Sequence, residues 1–162
     1  MAMTCKILDV KIGKSLFLSW LLVLAWMSFI FYLSSQPAPV SNSLSKKVAK
    51  TVIEGVDKVE GRDAKAYKLN KVNNLTRDYA HGGVFGVLSI LALSALRKSG
   101  FKSRAAYLTA FLICACYACT DEFHQIFVSG RGAEFQDWLK DCLGTILGLG
   151  LYFFVAAFNK WS

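Results

Sequence analysis

Residues 117–141, YACTDEFHQIFVSGRGAEFQDWLKD, concentrate side chains that can move protons or hold ions: Asp121, Glu122, His124, Arg131, Glu134, Asp137 and Asp141. Arg77 and His81, further back in the chain, add a second guanidinium and a second imidazole. Carboxylates beside imidazoles are the raw material of general acid–base chemistry, because histidine titrates near neutral pH. In that reading Glu122 or Asp121 is the base and His124 or His81 its acid–base partner. Arg77 and Arg131 would hold an anionic group such as a phosphate. Alternatively, His81, Asp121, His124 and a further acid could hold a divalent metal, although no tight ligand motif such as H-E-x-x-H is present. A third reading makes no bonds. The same residues, with Gln125, Asp137, Asp141 and Tyr117, form a binding site or polar gate for a lipid headgroup or cell-envelope glycolipid. Gly130 and Gly132 then flank Arg131 on a closely approached turn that delivers its guanidinium to the ligand.

The elements that must position these groups are apolar helices. The chain has 162 residues, 54% hydrophobic and 14% aromatic, with a mean hydropathy of +0.39. Residues 15–33 and 79–96 are nearly uncharged runs of the length that crosses a bilayer as a helix. A third span over 105–128 reaches full length only if its helix continues through DEFHQIFV, and a fourth covers 138–158. The fold expected is an all-α membrane protein, a four-transmembrane-helix bundle in a single domain over residues 1–162. Lys6, Lys11 and Lys14 ahead of the first apolar run resemble a secretory signal, but that run is long enough for a full span and is read as uncleaved.

Residues 34–76 form the extramembrane segment. SSQPAPVSNS opens it as a loop. Leu44, Val48, Val52, Val56 and Val59 then recur at helical spacing among lysines and acids, predicting an amphipathic interfacial helix between spans one and two. The following GRDAKAYKLNKVNN is polar and expected to be irregular. The net charge of +8 could suggest nucleic acid in a soluble protein, but no basic–aromatic module is present to present it. Lysines beside spans instead meet anionic headgroups or set orientation. The short connection RKSGFKSR carries four cations and no acid, which places it and both termini on the cytoplasmic side under the positive-inside rule. Five cysteines are present, three of them in CACYAC. Cys116 and Cys119 share a helical face, yet no second pair accompanies them, and ordinary packing accounts for them.

Four spans bring the start of span two, the end of span three and the start of span four to one membrane face. Arg77 and His81, Asp121 to Gln125, and Asp137 and Asp141 therefore converge in one layer. Span four runs from Asp137 and Asp141 into Gly144 and Gly148, and span two carries Gly82 and Gly86. Glycines at this spacing let helices approach closely in lipid, so the acid face of span four is also its packing face. Trp138 and Tyr79 read as interface-anchoring aromatics. The structural alternative for the whole layer is an ion-pair network in which Arg77 and Arg131 neutralise part of the acid. The acids outnumber these arginines, and intramembrane ionisable groups are functional by default.

The pattern R-x-x-x-H at Arg77 and His81, Y-x-x-x-D-E-x-H-Q-x-F-V over 117–128, G-R at Gly130 and Arg131, and D-x-x-x-D-x-x-G-x-x-x-G over 137–148 resembles the VanZ family across residues 15–158. The resemblance implies a small multi-pass protein of the bacterial inner membrane, associated through the founding member with resistance to the lipoglycopeptide teicoplanin. Its motif residues carry over to Arg77, His81, Asp121, Glu122, His124, Gln125, Arg131 and Asp137. Three departures from the family pattern stand out: Asp78 follows Arg77, Val84 and Phe85 stand where a Glu-Tyr pair is common, and Ser129 replaces a proline. The charged loop 44–73 is also longer than the family suggests. The function expected is binding or modification of an anionic lipid, lipid-linked precursor or lipoglycopeptide. The alternative is a membrane-embedded hydrolase or transferase acting on a lipid-linked phosphate, metal-assisted or not. The partners expected are membrane lipids and such a precursor or lipoglycopeptide, with no nucleic acid.

Overall fold

A computed structural model describes the backbone of residues 2–37, 43 and 62–158, and the side chains of residues 13–37, 43 and 80–158. Among the described residues four helices follow one another: α1 (Ala2–Ser34), α2 (Arg62–Lys98), α3 (Ser103–Gln125) and α4 (Phe135–Phe158). No strand occurs among the described residues. Each helix contains a stretch long and apolar enough to cross a membrane: Gly13–Ser34, Ala80–Lys98, Ser103–Gln125 and Phe135–Phe158. The four-span all-α bundle expected from the sequence is therefore the fold observed. The predicted amphipathic helix over 44–59 lies outside the described residues.

Three boundaries differ from expectation, each for a local reason. Residues 62–74, expected to be irregular, are the first part of α2. Between Arg62 and His81 there is neither proline nor glycine, and Lys, Arg, Ala and Leu are strong helix formers, so the helix of span two propagates outward from its apolar core. The third helix stops at Gln125 rather than continuing to 128. The chain tightens there, Phe127 and Val128 donating from their N–H groups to the carbonyls three residues back, His124 (3.0 Å) and Gln125 (3.1 Å). Gly130 then takes φ +75°, a left-handed conformation open to glycine. Finally α4 begins at Phe135, ahead of 138, and puts Asp137 in its first turn, where the helix dipole favours negative charge.

The described residues form two apolar clusters in the interior. One joins Val23 and Ile30 of α1 to Phe85 and Leu88 of α2 and Cys114 and Ala118 of α3. The other sets Ala92, Leu93 and Leu96 against Ala106, Ala110 and Leu149. Small residues line the buried stripe of α3, Ala106, Ala110, Cys114 and Ala118, so neighbouring helices come close. Large apolar side chains such as Phe17, Leu108, Leu147 and Phe154 point outward, as a lipid-facing surface requires. At the end opposite the acid layer, Lys98 Nζ donates to Ser19 Oγ at 2.8 Å and Trp20 Nε1 to Ser99 Oγ at 3.1 Å. The Arg97 guanidinium sits 5.7 Å from the Tyr152 ring centroid. These contacts tie α1 and α4 to the last turn of α2.

The tightest contact is between α2 and α4. A methyl group at Gly144 would fall onto the backbone of Gly82, and one at Gly148 onto the Gly86 carbonyl and the Ser89 hydroxyl. Nothing lies within 4 Å of the same added carbon at Gly83 or Gly150. The paired glycines thus act within one chain, and no second copy is needed to explain them. Gly144→Ala or Gly148→Ala should destabilise the bundle by about 1–3 kcal/mol through overpacking against unyielding backbone. Gly150→Ala should be neutral or slightly stabilising, because alanine favours the helix by roughly 1 kcal/mol. Thermal unfolding of the three variants in detergent checks the ordering.

Candidate functional site

All four helices contribute to a polar layer at one end of the bundle. The last residue of α1, Ser34, is buried and its hydroxyl donates to Asp121 Oδ2 at 2.6 Å. Gln125, one turn on along α3, donates to the same oxygen at 3.1 Å. Glu122 faces the connection to α4 and accepts the Glu134 backbone N–H on Oε2 at 2.8 Å. In the first turns of α4, Asp137 Oδ1 accepts from Lys140 Nζ at 2.7 Å. One turn deeper, Asp141 Oδ1 lies 3.8 Å from His81 Nδ1 of α2, within ion-pairing range but beyond hydrogen-bond length.

These carboxylates are buried: Asp121 is 2% exposed, Glu122 and Asp137 7%, and Asp141 0%. They also sense one another, Asp141 lying within electrostatic reach of Asp121, Glu122 and Asp137. Burying four acids in one layer is expensive unless each oxygen finds a donor. Several do not. Among the described residues, Asp121 Oδ1, Glu122 Oε1 and both oxygens of Asp141 have no hydrogen-bond partner, and neither does His124 Nδ1. A native interior satisfies nearly all such atoms, so the donors these acceptors need lie beyond the described side chains.

The expected site residues are thus placed as follows. His81, Asp121, Glu122, Gln125, Asp137 and Asp141 meet in the layer. His124 is half-buried and packs against Phe31 of α1, ring centroids 4.2 Å apart and the planes tilted by 36°. Tyr117 lies one turn deeper, its hydroxyl donating to the Met27 carbonyl at 2.6 Å, so this group is committed to joining α1 and α3. Arg131 is half-buried on the turn between α3 and α4, its N–H bonded to the Val128 carbonyl at 3.0 Å. Of the flanking glycines, Gly130 needs its positive φ, whereas Gly132 is open on every side. A closely approached backbone is therefore absent at Gly132. The side chains of Arg77 and Tyr79 lie outside the described residues. Trp138, expected as an interface anchor, has its indole N–H on the Ala115 carbonyl at 3.2 Å and stacks on Phe135, so it also ties α4 to α3.

Two contributors were missed from the sequence, Ser34 and Phe31. SSQPA reads as a loop opening after an apolar run, and nothing in that stretch signals a buried donor. The only available hint was positional, since the end of span one must share a face with the start of span two. Among the described residues, no group of three His, Cys, Asp or Glu side chains converges into a set able to hold a metal ion. The described cysteines are free, Cys114 and Cys142 buried and Cys116 and Cys119 exposed.

The match that decides the relationship covers this layer and all four spans, residues 18–156. The chain belongs to the VanZ/LLP1 family. It is a VanZ-family multi-pass membrane protein, and the family is linked to teicoplanin resistance. No curated protein and no solved structure matches the chain. Within this VanZ-family bundle, Ser34 and Asp121 form the one side-chain hydrogen bond described between α1 and the acid layer. Ser34→Ala leaves a buried carboxylate short of a donor and should cost about 1–3 kcal/mol. A double-mutant cycle with Asp121→Asn, read by unfolding in detergent, should recover a coupling of comparable size. Additive losses would show that the two groups do not interact.

Proposed function

We propose that the acid layer binds the polar part of an envelope amphiphile, a lipid-linked cell-wall precursor or a lipoglycopeptide, and that this binding underlies a protective role at the bacterial inner membrane. The observation that supports this best is the Asp141 carboxylate, fully buried with two oxygens lacking hydrogen-bond donors among the described residues. Acceptors in that state favour a ligand rich in N–H or O–H groups, as amines and sugar hydroxyls are. Arg131 on the connecting turn is the natural contact for an anionic group on the same ligand.

Orientation adds to the reading. Arg97, Lys98, Lys102 and Arg104 lie around the α2–α3 connection, at the end of the bundle opposite the acids. Dense cations on a short loop favour the cytoplasmic side. With both termini there as well, the acid layer faces outward, where cell-wall precursors are consumed and lipoglycopeptides arrive. A purely structural layer is the weaker account, because a fixing network would pair its acids instead of leaving acceptors bare.

A second reading, a membrane-embedded hydrolase or transferase acting on a lipid-linked phosphate, draws on one observation. His81 and Asp141 stand 3.8 Å apart across two helices, an imidazole beside the carboxylate that would orient it as an acid–base group. Apo distances of this kind tighten when substrate binds.

The test expresses Glu122→Gln, His124→Ala and Asp141→Asn separately in a teicoplanin-sensitive host and measures susceptibility together with membrane abundance. The expected outcome is near-parental abundance with protection lost, Asp141→Asn being the most severe. Variants that are abundant and fully protective contradict a ligand role. Variants that disappear from the membrane support the structural layer instead.

A further inference from the structure

The end of the bundle away from the acid layer carries charge of one sign. Lys14 of α1, Arg97 and Lys98 of α2, and Lys102 and Arg104 around the start of α3 are its described charged side chains, all of them exposed. The described acids, Asp121, Glu122, Glu134, Asp137 and Asp141, belong to the other end. None of these cations at the basic end pairs with a carboxylate among the described residues, and Lys98 Nζ has only the neutral Ser19 hydroxyl at 2.8 Å. They keep their full charge at the depth where a bilayer holds its phosphates.

Arg97 differs from the others in having a fixed seat. Its guanidinium carbon lies over the Tyr152 ring of α4, 5.7 Å from the centroid, within the range in which an aromatic face attracts a cation. A ring holds a guanidinium without neutralising it, and leaves its N–H fork free to meet two oxygens of one anion. Tyr107 of α3 lies within electrostatic reach of both Arg97 and Tyr152, and the two tyrosines pack half-buried against the same apolar cluster. Neither hydroxyl bonds to a described residue, in contrast to Tyr117, whose hydroxyl holds the Met27 carbonyl. Three helices thus bring one guanidinium and two unengaged O–H donors together near the end of span two and the start of span three. Leu108 and Leu151, next in sequence to the tyrosines, are exposed on the lipid-facing surface.

We propose that Arg97, Tyr107 and Tyr152 form a site for the phosphate of an anionic phospholipid in the leaflet that the α2–α3 connection faces. The guanidinium takes two phosphate oxygens, the phenols donate from the flanking helices, and the chains lie along Leu108 and Leu151. A membrane phosphodiester already sits at this depth, whereas a soluble phosphate ester gains nothing from the exposed leucines. Bound there, the lipid links α2, α3 and α4 at the end away from the Gly82–Gly144 contact. The site is separate from the acid layer and holds or fails independently of it.

The full chain in nanodiscs of phosphatidylcholine and phosphatidylglycerol in equal parts is released under native conditions in a mass spectrometer, and the lipids that stay bound are identified. Phosphatidylglycerol should be retained several-fold over phosphatidylcholine. Arg97→Gln should bring that preference close to parity, and Arg97→Lys, which keeps the charge but not the fork, should fall between. Tyr107→Phe should weaken the preference several-fold; it keeps the ring, so the loss reads the hydroxyl and not the packing. Lys102→Gln removes the same charge from the same connection, but Lys102 has no ring contact among the described residues, and the preference should change little. Excess glycerol phosphate, a head without chains, should not displace the lipid. Equal losses in Arg97→Gln and Lys102→Gln would mean diffuse attraction to the loop and overturn the proposal. The absence of any preference in the parent protein, or displacement by glycerol phosphate, would overturn it as well.

Discussion

The contact that fixes everything else is the backbone-to-backbone approach of α2 and α4 at Gly82, Gly86, Gly144 and Gly148. In lipid, helices gain little from apolar burial against one another, so close packing and interhelical polar contacts decide how they associate. A glycine seam sets the distance and also the register, because a slip along the helix brings a side chain where only a hydrogen fits. His81 immediately precedes Gly82, and Asp141 lies three residues ahead of Gly144. The seam therefore places the imidazole against the carboxylate. It also holds Asp141 too deep for solvent to satisfy.

The remaining helices complete the layer by different means. Helix α3 offers Asp121 and Glu122 side by side at its end, but they are useful only because Ser34, Gln125 and the Glu134 backbone secure one oxygen of each. Tyr117 and Trp138 fasten α3 to α1 and to α4 through carbonyls one or two turns from the acids. Asp121 and Glu122 are thus half-anchored: one oxygen of each is held by the protein, and the other is buried without a hydrogen-bond partner among the described residues. Asp141 is the extreme case, with both oxygens buried and lacking a hydrogen-bond partner among the described residues. A scaffold that merely needed to hold four helices together would be better served by apolar side chains of similar size at these positions. Retaining the acids makes sense if a ligand supplies the donors.

Much of this was legible before any coordinates. Helix number, the all-α bundle and the convergence of His81, Asp121, Glu122, Asp137 and Asp141 followed from span length and topology, since a four-span chain allows only one face for those segments. The glycine pairs were legible as packing devices because their spacing matches the helix repeat. Ser34 was not, because a serine at the end of an apolar run looks the same whether it meets water or a buried carboxylate. Residues 62–74 were misjudged as irregular because their polarity was weighed above their helix propensity and the absence of any breaker before Gly82. Trp138 was read from composition as an anchor, although the position of its indole N–H depends on which helix lies opposite. What sequence misses here are partnerships across helices. What it captures are periodicities within them.

The acid layer requires α1 and α3 to meet at Ser34 and Asp121 while α2 and α4 stay locked by glycine. The most direct measurement is chemical cross-linking of Ser34→Cys with Asp121→Cys in an otherwise cysteine-free chain, using the shortest bifunctional thiol reagent in native membranes. The structure predicts efficient intramolecular cross-linking and little between separate chains. Cysteines that each react singly but never join within one chain would contradict it.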